Sequence, residues 1–69
     1  MSKVQIVGGE RSGEYIKWFG NNVRIQGVGH LLHRAHFTDG TRREYYVKDG
    51  MQLASKLDAA TVARIEVLG

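Results

Sequence analysis

Apolar and polar positions alternate with a period of two along much of this chain, the pattern of half-buried strands. Val4 and Ile6 alternate with Lys3 and Gln5 and predict a first strand. Gly8 to Gly13 has the composition of a loop. Glu14 to Phe19 is rich in aromatic and β-branched residues and predicts a second strand. Gly20-Asn21 then gives a two-residue hairpin signal, with glycine where a type II′ turn needs positive φ. That turn would set Phe19 opposite Asn22, Trp18 opposite Val23, Lys17 opposite Arg24 and Ile16 opposite Ile25. Opposed residues share a face. Ile16, Trp18, Val23 and Ile25 are therefore expected to form an apolar surface, with Lys17 and Arg24 together on the other side. A Trp18 buried there would make Trp18→Ala cost about 3–5 kcal/mol.

Residues 22–37 read as one long strand, sharply bent at Gly27-Val28-Gly29 because glycines inside a strand mark bends and bulges. Thr38-Asp39-Gly40 is the next turn. A two-residue Asp39-Gly40 loop would put Glu44 and Arg42 on the apolar face. A three-residue loop, with Gly40 in the left-handed bulge position, pairs Phe37 with Thr41, Ala35 with Arg43, His33 with Tyr45 and Leu31 with Val47. It also sets Arg34 opposite Glu44. The three-residue loop is the register expected, with Arg43 its awkward member near an edge. Asp49 is placed to cap a helix of two to three turns that carries Met51, Leu53, Ala54 and Leu57 and stops near Asp58. Val62 to Leu68 alternates as a last strand. Its expected partner is the first strand.

This order predicts one mainly β domain over residues 1–69, β-rich α+β in composition. Its form would be a small curled antiparallel sheet, or a partly closed barrel of five to six strands, with one short helix before the last strand. In strand order and in that short helix it is similar in architecture to the SH3-like barrels. Fold alone does not carry function.

Composition narrows the picture. The chain has 69 residues and no cysteine, which excludes disulfides and thiolate metal sites. No apolar run approaches the roughly 20 residues that span a bilayer, and the start has no apolar stretch of signal-peptide length. A cytoplasmic protein without membrane contact is expected, in the host cytoplasm if phage-encoded. The net charge of +3 is uneven. Residues 1–34 hold five bases and two acids, whereas residues 35–69 hold five of each. A basic first half suits an anionic partner.

Chemical motifs are fragmentary. Gly8-x-x-x-x-Gly13 follows a strand, but Glu14 and Tyr15 stand where a phosphate-binding loop needs lysine and a hydroxyl. Gly27-x-Gly29 has Leu32 at the third glycine position of a dinucleotide fingerprint. His30, His33 and His36 lie close in sequence, yet on a strand His33 points away from the other two, so one metal could not collect all three. Ser2, Ser12 and Ser55 fall in a terminus, a loop and a helix with no nucleophile elbow. No catalytic, cofactor or metal residues are expected.

One constellation remains. The two registers send Tyr15, Lys17, Phe19, Arg24 and Gln26 from the first hairpin, and Arg34, His36, Arg42 and Tyr46 from the second, to the face away from the core. A like-charge Lys17/Arg24 pair costs stability, and cations among aromatics suit an acidic surface or stacked bases. The expectation is a non-enzymatic binding module with a macromolecular partner, protein before nucleic acid. An inhibitor or adaptor, such as a phage or mobile-element accessory protein that blocks a host machine, has this size. An exposed first or last strand leaves room for a homodimer.

Overall fold

The computed structural model describes residues 3–69; the terminal position expected of Ser2 lies outside them. Six strands follow one another: β1 (Lys3–Val7), β2 (Tyr15–Lys17), β3 (Asn22–Ile25), β4 (Val28–Phe37), β5 (Arg42–Lys48) and β6 (Val62–Val67). A single 3-10 turn at Leu53–Lys56 precedes β6. The strands form one curled, mixed sheet shaped as a half-barrel. Its path is β2-β1-β5-β4-β3, and β6 also pairs with β4.

β4 organises the sheet. Along one edge it pairs antiparallel with β5. Along the other it pairs first with β3, from Ile25↔Val28 to Asn22↔Leu31, and then with β6, from His33↔Val67 onward. The β4–β5 register is the one expected from a three-residue loop: Leu31↔Val47, His33↔Tyr45, Arg34↔Glu44 and Ala35↔Arg43. Gly40 sits at φ 89°, and its N–H donates to the Phe37 carbonyl at 3.0 Å. The Asp39 carboxylate accepts from the Thr41 N–H and hydroxyl at 2.9 and 2.6 Å, which closes the turn.

Four expectations are corrected. Gly20-Asn21 does not join a ladder: β2 pairs with β1 (Lys3↔Lys17, Val4↔Ile16, Gln5↔Tyr15) and β3 with β4. The hairpin turn is Gln26-Gly27, with φ of 53° and 75°. Two positive φ values match a type I′ turn, whose twist follows the strands it joins. The expected bend is therefore a chain reversal. β6 lies against β4, not β1, and β1 instead runs parallel to β5 through Gln5↔Tyr45 and Val7↔Val47. The expected helix is the one 3-10 turn, and no side chain caps it. Of its residues only Leu53 is buried, so tertiary contact fixes too little of this segment to favour an α-helix.

Both faces of the sheet carry a core, which is why Tyr45, Tyr46 and Val47 are buried in succession. The inner cluster holds Val4, Ile6, Val23, Ile25, Leu32 and Tyr46, flanked by Ile16 and Leu68. The outer cluster holds Val7, Ala35, Tyr45, Val47 and Leu53, with Phe37, Met51, Leu57 and Ile65 packed on it. Tyr46 ties the inner side together. Its hydroxyl accepts from the Phe19 N–H at 2.9 Å and donates to the Gly20 carbonyl at 2.7 Å. The Phe19 ring meets the Tyr46 ring edge-on at 5.4 Å. Asn21 adds a strap, its carbonyl accepting from the Leu32 N–H and its amide donating to the Leu68 carbonyl. The segment from Trp18 to Asn21 thus lies across the inner side. Trp18 is 48% exposed, its indole N–H donating to Asn21 Oδ1 at 3.0 Å.

Candidate binding surfaces

The nine residues expected on one face are distributed over several surfaces. Tyr15 and Lys17 are exposed on the outer side of β2, across from Gln5 and Lys3. Phe19 is exposed in the linker. Arg24 is exposed on β3, at the far end of the sheet path from β2, and Gln26 is exposed in the type I′ turn. The Lys17–Arg24 pair therefore does not exist. Arg34, His36 and Arg42 share the inner side with Tyr46, and Tyr46 is fully buried. The expected outward-facing Tyr46 is corrected because the face it occupies is the concave one, roofed by Phe19 and Gly20.

Two surfaces emerge instead. The first lies outside β2, β1 and β5. Lys3 stands directly opposite Lys17, and Gln5 is flanked by Tyr15 and Tyr45. Lys3, Gln5, Tyr15, Arg42, Arg43, Glu44 and Tyr45 line a shallow cleft of about 320 Å³. Among the described residues, Lys3, Lys17, Arg42 and Arg43 make no ion pair, whereas Glu44 is engaged by Arg34 at 2.9 Å. The strip is thus cationic, with Tyr15 exposed among the charges. Burial pushes the Tyr45 hydroxyl above its usual pKa, and the nearby Arg43 pulls against that shift. Two of these cations, Lys3 and Arg43, were outside the sequence-based set. Signals for both existed: Lys3 alternates with the buried Val4, and Arg43 shares parity with Tyr45.

The second surface is the open end of the concave side. Register places Arg42, His36 and Arg64 in one row across β5, β4 and β6, and Glu44, Arg34 and Glu66 in the next. His36 Nε2 lies 2.6 Å from Glu66 Oε1. At that distance from a carboxylate the ring nitrogen carries the proton and donates it. This hydrogen bond, with Arg64 and Arg34 nearby, holds the Glu66 carboxyl below the usual glutamate range. Deeper in, Val4, Leu32, Leu68 and Trp18 line an apolar groove of about 470 Å³ bordered by Arg34 and Glu44. Its charges largely satisfy one another, which leaves it less able than the first surface to attract an ion.

The three histidines do not converge. His30 is buried, with its ring nitrogens 2.8 Å from the Val28 carbonyl and 3.3 Å from the Gly8 carbonyl. His33 points to the outer side and bonds the Leu31 carbonyl. Among the described residues no group of three or more His, Asp or Glu is placed to hold a metal ion. Comparison of the chain with protein-family models, with curated proteins and with solved structures finds no match.

Proposed function

We propose that this chain is a non-enzymatic binding module that docks an acidic protein surface on the strip formed by Lys3, Lys17 and Arg43. The carrying observation is Lys3 directly opposite Lys17, with no carboxylate in reach of either among the described residues. Like charges opposed across a ladder destabilise it by a few tenths of a kcal/mol, up to about 1. An acidic partner would turn that cost into attraction and raise the association rate. An inhibitor or adaptor works this way, by covering an acidic surface rather than by chemistry. A cytoplasmic setting fits this reading, and no helix among the described residues is long and apolar enough to cross a membrane.

A second reading, nucleic-acid binding, is favoured by Tyr15, which is 53% exposed beside these cations and free to stack on a base. The two readings separate in one experiment. The native chain, Lys17→Glu and Arg43→Glu are immobilised and exposed to nuclease-treated native lysate, and in parallel titrated with single- and double-stranded oligonucleotides at low and high salt. Lys17→Glu leaves Lys3 opposite a carboxylate, so the fold gains stability while the strip loses charge. A protein retained by the native chain and lost by both variants supports the first reading. Oligonucleotide binding that falls steeply with salt supports the second. Retention and titration unchanged in both variants overturn the strip as the site.

A further inference from the structure

β6 is a sheet edge with an unused side. It pairs only with β4, and among the described residues no other backbone group bonds to its strand. The Leu68 N–H donates to the Leu32 carbonyl at 2.8 Å. Backbone direction alternates along an antiparallel strand. Glu66 and Arg64 therefore turn their N–H and C=O groups toward β4, and Ile65 and Val67 turn theirs outward. Val67 is also the most exposed large apolar residue among the described residues, at 59%. A bulge at Ala63, where the register shifts between His36 and Phe37, ends the regular stretch on one side.

We infer that this edge is built to pair with the same edge of a second copy, antiparallel about a two-fold axis at Ile65. Only outward-facing residues can exchange backbone bonds, so Ile65 must meet an odd-numbered residue of the second copy. Centring on Ile65 sets Arg64 opposite Glu66 of the second copy, and by symmetry does so twice. Side chains in such non-hydrogen-bonded pairs approach most closely. Slipping by two residues in either direction instead sets Arg64 against Arg64, or Glu66 against Glu66. Charge thus selects one register out of those that parity allows. On the other face Ile65 meets Ile65, and Val67 is covered beside Ala63 of the second copy. β4 separates β6 from β5, and no residue of the strip lies on β6, so this pairing is argued from different residues than the proposed function. A six-residue edge buries less than the roughly 1,200 Å² of stable complexes, which makes the dimer a transient one.

Sedimentation velocity on the full chain, from micromolar to millimolar, reads the association. The native chain should dimerise within that range. R64E puts a carboxylate opposite Glu66 of the second copy, and E66R puts a guanidinium opposite Arg64; each should weaken the dimer about tenfold through its two symmetric contacts. The double swap R64E/E66R restores opposite charges in both contacts and should return to within about threefold of native. Circular dichroism melts identify any variant that fails to fold, and the swap keeps the comparison decisive because it holds the composition constant. A native chain that stays monomeric at millimolar concentration overturns the inference. So does a folded swap no better than the single variants, which would show that the two side chains do not face each other.

Discussion

Replacing Tyr46 with phenylalanine removes one oxygen and two hydrogen bonds while keeping the ring that Phe19 packs against. The hydroxyl accepts the Phe19 N–H and donates to the Gly20 carbonyl. Each bond contributes about 0.5–1.5 kcal/mol net, and buried groups left without partners cost more. Phe19 is exposed and Gly20 half-buried, so water can reach the freed groups and limits the loss to about 2 kcal/mol. In a domain of this size 1 kcal/mol moves Tm by about 4–8 °C, giving a drop of ~8–16 °C. The Phe19 amide should also exchange faster than in the native chain. Urea melts followed by circular dichroism give the free energy, and Tyr45→Phe is the control. The Tyr45 hydroxyl makes no hydrogen bond to the protein among the described residues, so its removal should cost little. A Tyr46→Phe loss below about 0.5 kcal/mol, with Phe19 exchange unchanged, would refute the claim that this hydroxyl fastens the linker.

Other consequences are as direct. Trp18→Ala should cost about 1.5–2.5 kcal/mol in the same melts, because half of the side chain already meets water. That contrasts with the loss of about 3–5 kcal/mol expected for a core tryptophan. Gly8→Ala should cost about 2 kcal/mol or more: Gly8 has φ of 92°, and a methyl group there would collide with Met51 Sδ and with Lys48 Cβ at 2.7 Å. The Glu66 carboxyl has a lower pKa folded than unfolded. Its stabilising contribution is therefore complete above the usual glutamate range and is lost as pH falls through the folded-state value. Acid titration of stability should show Glu66→Gln less stable than native near neutrality, with the gap closing on acidification. A gap that widens would reverse the assignment of the His36 hydrogen bond.

The sequence carried the β-rich class and the Gly40 hairpin because both are local. Gly40 follows Thr38-Asp39, and only a three-residue loop gathers Leu31, His33, Ala35 and Phe37 with Tyr45 and Val47. Gly20-Asn21 was the turn expected and Gly27-Val28-Gly29 only a bend, and local chemistry gave no reason to exchange the two. Their order is decided by Tyr46, more than twenty residues away, whose hydroxyl holds Phe19 and Gly20 out of a ladder. Tyr45-Tyr46-Val47 was the clearest warning that went unused. Three consecutive apolar residues on a strand fill both faces, so a one-sided core could not hold. Assigning Tyr46 to solvent followed from that assumption. The parallel β1–β5 contact left no local trace at all.

That parallel contact has a bearing on the order of assembly. Residues 22–48 form a meander whose partners are near neighbours, and such contacts close with little entropic penalty. β1 must instead find β5 across about 40 intervening residues. The meander is thus placed to form first and the amino-terminal hairpin to dock late. Amide exchange in the native protein should accordingly show β1 opening ahead of β4. Lys3 and Lys17 ride on the late-docking hairpin while Arg43 belongs to the meander. A partially formed chain would hold the cations apart, and recognition would double as a readout that folding is complete.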